Sequence, residues 1–381
     1  MARVGIIGCG GRLRGVLKPQ SGIEIVALCD PHPESIRAAQ TQYGGRARVY
    51  GDHNELVRDP AVEWVAVGSW NSLHAEHAIA ALRAGKHVFC EKPLATTLPD
   101  CLAIRDAVRH SGRHFSFRLV LRYAPVYRQV RELLRAGKIG KIISFEFNET
   151  LGFNHGGYFL GNWRRFRRNG GSYILEKCCH DMDLANWLVD SLPVRAASFG
   201  GLNFFKPENQ HHIQRLGSDA QGRQAYRTWP GVDMEDPFTC AKDIVDNQVV
   251  ILEYANGVRA TFHTNANAGI LERRFYLLGA EGAIRADAVT GKIECQRIGF
   301  DTTTEVISAG HAGGHAGGDE VLRASLYQSM QTGTAPLVGV DEALRSAVVC
   351  FGIDQALDEG RVVDLRPLWE KAQIDFTACL S

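Results

Sequence analysis

Short, nearly unbroken apolar runs alternate with segments of helical period from residue 3 to residue 121. Residues 3–8 (RVGIIG), 24–30 (EIVALCD), 64–68 (WVAVG), 87–90 and 114–119 read as buried strands. Residues 33–43, 54–58, 71–84 and 99–111 carry apolar positions at helical spacing and read as helices between them. Repeats of this kind predict an α/β, Rossmann-type doubly wound parallel sheet, because a parallel partner strand is reached only through a crossover. The ligand of such a sheet lies outside the carboxyl ends of its strands, which is where Gly8, Asp30, residues 68–71 and residues 90–93 emerge.

The pattern then changes. Residues 122–136 read as a linking helix, and 142–149, 248–254, 258–265, 273–278 and 282–286 as strands separated by turns such as NG and GAEG. Residues 203–246 are polar, lack clear periodicity and exceed ordinary connection lengths, a profile of lids and binding loops as well as of disorder. A chain of 381 residues exceeds the size at which one core keeps growing, so the expected division is 1–121 and 122–381, with the insert in the second part.

Composition narrows the setting. Forty-three Lys+Arg against forty-two Asp+Glu remove the electrostatic case for a nucleic-acid binder. Neither a signal-peptide core nor a membrane-length apolar run is visible, and ten cysteines in this length are too dilute for a disulfide scaffold, so a reduced cytoplasm is expected. No metal site is expected. His211-His212 lacks a paired spacing, and His311, His315 and Asp319 in GHAGGHAGGDE lack convincing further ligands.

The chemistry at the first rim reads as dinucleotide binding. In GCGGRLRG, Gly8 and Gly10 stand where a tight turn and a close-lying pyrophosphate require missing side chains, with Gly11 and Arg12 opening the helix. The position for a third small residue is Leu13, and Gly11 and Gly15 nearby are the expected relief. Asp30 ends the second strand, where a carboxylate accepts the adenosine ribose diol and repels a 2′-phosphate, which favours NAD over NADP. Ser69, Trp70, Asn71 and His74 occupy the next loop, where capping alone explains Ser72. Glu91 and Lys92 precede Pro93, which restricts the lysine's backbone.

A second concentration of chemistry is 163–187, WRRFRRNGGSYILEKCCHDMDLANW. At about 100° per residue, Glu176, His180, Asp183 and Trp187 share one helix face, with Tyr173 and Lys177 at its margins. That face is either a site or the wet side of an amphipathic helix. The basic run Arg164, Arg165, Arg167 and Arg168 reads as a fork for an anionic sugar or, the favoured account, as salt bridges with one arginine on neutral hydroxyls. Trp163, Phe166 or Tyr158 would stack on a pyranose.

Together these blocks resemble the Gfo/Idh/MocA family of sugar and inositol oxidoreductases. The resemblance rests on VGIIGCG, VALCD, NSLHAEHAIAALRAGKHVFCEKPLA, RYAP, GKIGKI, GGSYILEKCCHDMD and HAGGDEVL, and spans nearly the whole chain. It implies an α+β second domain with a large open, mostly antiparallel sheet whose far face joins subunits into a homodimer or homotetramer. It implies Lys92 beside the substrate hydroxyl and His180 as proton acceptor, with Glu176 where an aspartate is common. Cys178 stands in place of the usual glycine, and Lys177 in place of an apolar residue. Glu176 would orient the imidazole, Lys177 would be a second donor, and Arg122, Asp181 and His315 would help line the substrate cavity. The expected activity is NAD-dependent oxidation of a sugar, glycoside or cyclic polyol. NAD-assisted glycoside cleavage by transient oxidation and a non-catalytic sensor are the alternatives.

Overall fold

The computed structural model describes residues 1–20, 22–229, 231–310 and 312–378. They form two compact units, Met1–Tyr123 with Gly318–Ala347, and Ala124–Gly317 with the chain from Val348 onward. His311 lies outside the described residues.

Six parallel strands carry the first unit: β1 (Ala2–Ile7), β2 (Ile23–Cys29), β3 (Arg48–Tyr50), β4 (Trp64–Val67), β5 (His87–Cys90) and β6 (Phe115–Phe117). Their order is β3-β2-β1-β4-β5-β6. Chain order reverses beside β1, which creates the crevice at the strand ends that the sequence pattern anticipates. The edge strand β3 escapes the periodicity because it is three residues long, two of them exposed.

The glycine turn after β1 is imposed by backbone sterics. Gly8 has φ +86°, and a Cβ there would sit 2.3 Å from the Ser69 amide nitrogen. Leu13 is fully enclosed and packs against the backbone of Gly68, where a Cβ would lie 2.7 Å from Leu13 Cδ2. The missing third glycine is therefore compensated at Gly68, on the neighbouring strand end, and not at Gly11 or Gly15.

A single cut at 121 differs from this arrangement in one respect. The helix Gly318–Thr332 returns to the first unit, where Arg323 Nε donates to Val16 O at 2.9 Å and Tyr327 Oη to Lys18 O at 2.7 Å.

Nine strands carry the second unit: β7 (Ile142–Gly152), β8 (Pro193–Gly201), β9 (Asn247–Tyr254), β10 (Arg259–Ala268), β11 (Arg274–Gly279), β12 (Gly282–Asp287), β13 (Lys292–Arg297), β14 (Glu305–Ser308) and β15 (Val363–Asp364). The order is β14-β13-β12-β11-β7-β10-β9-β8-β15, with only β7 and β10 parallel. Alternating burial along β9 and β10 leaves one face open. On the other face Phe147 touches Phe262 and Phe275 with ring centroids 4.7 and 5.1 Å apart, beneath the helix Tyr173–Val189 that packs on β7.

The 203–246 insert is held by an aromatic cluster of its own. Phe205, Tyr226 and Phe238 are almost wholly buried, with centroids 5.0–5.9 Å apart. The Asp246 carboxylate accepts the amides of Asn203, Phe204 and Phe205 at 2.7–3.0 Å. Among the described residues no helix is long and apolar enough to cross a membrane.

Candidate active site

At the rim of the first unit, both oxygens of Asp30 hold the turn, accepting the amides of Cys9 at 2.7 Å and His32 at 2.8 Å. Each carboxylate oxygen has a second lone pair with which to meet a ribose diol. Gly10 is the extended residue before the helix Gly11–Val16, and a Cβ there would meet no atom within 4 Å. That open surface lies beside helix-start amides that have no intrahelical acceptor, the chemistry a pyrophosphate needs. The Leu13 side chain is consumed in packing, so of Leu13 only the backbone can serve such a ligand.

The loops after β4 and β5 are tied together by His74. Its ring is fully buried, with Nδ1 2.7 Å from Pro93 O and Nε2 3.2 Å from Ser69 O. A neutral ring donates to one of these carbonyls at a time, and the shorter distance favours Pro93 O. Asn71 is buried, and Ser69, Trp70 and Lys92 are partly exposed beside them; the Lys92–Pro93 peptide is cis. Glu91 is buried and accepts from Arg118 Nη1 at 3.2 Å. Arg118 also pairs with Asp319, which Arg12 reaches at 3.2 Å. Burial pushes the Glu91 carboxyl up to about 7, against the pull of Arg12 and Lys92. Asp319 is thus engaged by two guanidinium groups. Arg122 lies half-buried in the short 3₁₀ turn Val120–Tyr123.

In the second unit, Ser172 caps the helix Tyr173–Val189, its Oγ accepting from Leu175 N at 3.1 Å. Every residue of that helix except Trp187 is buried, so its charged face is not a wet one. His180 is 2% exposed, and its ring lies 5.9 Å from that of His315, edge to face. His315 and Ala316 both have left-handed backbone, φ +50° and +53°, a conformation that side chains disfavour.

A four-membered ion network, unreadable from the sequence because its partners are remote, underlies His180. Lys177 Nζ meets Glu149 Oε1 at 2.9 Å, and Arg273 Nη1 meets the same oxygen at 2.9 Å. Arg273 also grips Asp181 with two bonds of 2.9 and 2.7 Å. Burial alone would raise Glu149, but Arg273 and Lys177 overcome it and hold the carboxyl well down. Burial outweighs Arg273 at Asp181, and the adjoining Glu149 charge pushes the same way, so this carboxyl is held up.

Three of the four arginines in the run meet a carboxylate. Arg164 Nε meets Glu176 Oε1 at 2.7 Å, its Nη1 donates to Tyr158 Oη at 3.2 Å, and its guanidinium lies 4.1 Å from the Trp163 ring centroid. Arg165 pairs with Glu235 and Arg167 with Asp358, while Arg168 covers the Phe166 ring. Trp163 and Phe166 therefore stack on guanidinium groups. Tyr158 also lies 5.5 Å from the Arg164 guanidinium and neighbours Trp229 of the insert at 5.6 Å; Trp229 stacks on His155 and is 43% exposed. Glu149, Arg273 and Trp229 are the residues that sequence reasoning missed. A lone tryptophan in an aromatic-rich insert was the only local signal.

Residues 2–118 match the model of an oxidoreductase family's NAD-binding Rossmann fold, and residues 131–365 match the same family's C-terminal alpha/beta domain. The inositol 2-dehydrogenase/D-chiro-inositol 3-dehydrogenase of Lactiplantibacillus plantarum is 30% identical over 222 residues, 56% of this chain and 58% of that protein. The inositol 2-dehydrogenase of Salmonella typhimurium is 32% identical over 193 residues, 49% of this chain and 54% of that protein. The chain thus spans somewhat over half the length of these curated relatives. A levoglucosan dehydrogenase solved with NADH and levoglucosan superposes with a TM-score of 0.77 over 96% of this chain and 99% of that one, at 20% identity. That likeness establishes the fold.

Proposed function

The chain belongs to the Gfo/Idh/MocA oxidoreductase family, and from that premise we propose that it transfers a hydride between a secondary hydroxyl of a sugar or cyclic polyol and NAD, with His180 as the proton acceptor. The observation that carries the reading is His180 itself: an imidazole 2% exposed, in mid-helix, above a charge network that fixes the next residue. Bound NAD supplies the hydride acceptor. Asp30, Gly10 and the helix-start amides would hold it, and Lys92 would stabilise the developing alkoxide while His180 takes the hydroxyl proton.

The network gives the remaining residues their parts. Lys177 is paired with Glu149 and Glu176 with Arg164, which supports net oxidation over glycoside cleavage, a reaction that needs a further acid–base group. Asp181 positions the helix through Arg273. With Arg164, Arg165 and Arg167 each paired to a carboxylate, the second unit suits a neutral hydroxylated ring better than a uronate or sugar phosphate. Tyr158 and Trp229 are the aromatic faces for it.

On the open sheet face Phe199 lies opposite Val249, with Ile251 two residues on, and all three are well exposed. This apolar row supports a homo-oligomer joined through that face.

Inositols, levoglucosan and free pyranoses are to be incubated with the purified protein and NAD. NADH accumulation on at least one supports the reading. Aryl-glycoside cleavage without NADH accumulation, or ligand binding without either, overturns it.

A further inference from the structure

The two units differ in how their clustered ligating side chains are used. Among the described residues, two groups of three His, Cys, Asp or Glu side chains bring their ligating atoms within 4.8 Å of one another. In the first, Glu149, Cys178 and Asp181, both carboxyls are already satisfied by Lys177 and Arg273, which leaves no charge for a cation. The second is His53, Glu76 and His77. Its side chains belong to no part of the reaction described above.

We propose that His53, Glu76 and His77 form a binding site for a divalent transition-metal ion of the zinc class. His53 opens the helix His53–Arg58, and Glu76 and His77 sit in the first turn of the helix His74–Arg83. His53 Nε2 lies 3.5 Å from Glu76 Oε1. The edge of a tetrahedron with bonds of roughly 2.1 Å is about 3.4 Å, so this pair is already at coordinating separation. The two imidazole centroids are 4.5 Å apart, with their planes tilted by 55°.

Each ring is also held by a neighbour in the manner of a metal ligand. Asp52 Oδ1 is 3.3 Å from Nδ1 of His53, and Ser69 Oγ is 2.8 Å from Nδ1 of His77. With a proton on each Nδ1, both Nε2 atoms present a lone pair, which is how outer partners select the ligating tautomer. The His53 side chain is 13% exposed and that of Glu76 60%, which leaves an entry path and room for a water as fourth ligand. Two nitrogens and one carboxylate oxygen suit zinc or cobalt(II) better than magnesium.

The test is independent of the dehydrogenase reading, because it reads metal and not turnover. The full chain, stripped with chelator, is titrated with Co²⁺ and followed by its visible spectrum, then with Zn²⁺ by calorimetry. One equivalent should bind at micromolar or lower concentration, with intense tetrahedral ligand-field bands and no thiolate charge-transfer band. His53→Gln and Glu76→Gln, both at the accessible rim, should each weaken that equivalent at least tenfold. His77→Gln should abolish it, and should that variant fail to fold, the two rim variants decide. Binding only at millimolar Zn²⁺, thiolate bands, or an equivalent unchanged in both rim variants would overturn the proposal.

Discussion

Replacing Arg273 with methionine probes the charge network most sharply. Arg273 makes three contacts of 2.7–2.9 Å to two buried carboxyls and is itself 9% exposed. Methionine keeps much of the volume and removes the charge, so Glu149 and Asp181 are left with Lys177 alone. Breaking a buried pair from one side costs about 3–5 kcal/mol, most of it the penalty of the stranded charge. For a unit of this size that is a loss of roughly 10 °C or more in melting temperature. The loss should depend on pH. Without the guanidinium both carboxyls titrate higher in the folded state than in the unfolded one, so they can be protonated at pH 5 but not at pH 8. The variant should therefore melt much closer to the parent at pH 5. In an Asp181→Asn background the same replacement should cost less, with a coupling of about 1.5–3 kcal/mol. Thermal unfolding of the four proteins at both pH values measures this. A loss under about 2 °C at pH 8, or one independent of pH, refutes the network as a source of stability.

Glu91→Gln should flatten the stability profile between pH 5 and pH 8. Burial raises this carboxyl from 4.5 to about 7, so the folded form holds a proton that the unfolded form has released, and stability falls as pH rises through that window. The shift corresponds to at most about 3 kcal/mol, read as the difference in denaturation midpoints at the two ends. Gly156→Ala should cost at least about 3 kcal/mol or prevent folding, because its Cβ would fall 1.8 Å from Ala266 O; expression yield and chemical denaturation report it. Gly10→Ala should do the opposite, leaving stability within about 0.5 kcal/mol while weakening NAD at least about tenfold by titration.

Legibility followed sequence distance. The parallel strands and the glycine turn could be read because each is written in a few consecutive residues. Leu13 could not be reconciled with the glycine pattern because its compensation, Gly68, lies just past the end of another strand. The sequence could not show that Lys177 meets Glu149 or that Glu176 meets Arg164, because each partner is brought in by folding. The insert looked structureless because an aromatic cluster has no period. His53 and His77 converge only through the sheet, so no spacing announces them. What the sequence conveyed best was the family and its two folds. It conveyed least the pairing of charges, which depends on contacts that no local pattern encodes.

The central claim is that His180 removes the hydroxyl proton in an NAD-linked oxidation. The most direct measurement is single-turnover NADH formation by His180→Asn on a sugar or inositol that the parent oxidises, alongside NAD affinity by fluorescence titration. The account predicts a rate reduced at least about a hundredfold, within the usual range for losing a general base, with NAD affinity changed by less than about twofold. A variant with near-parental rate, or one whose rate falls only because NAD no longer binds, would contradict it.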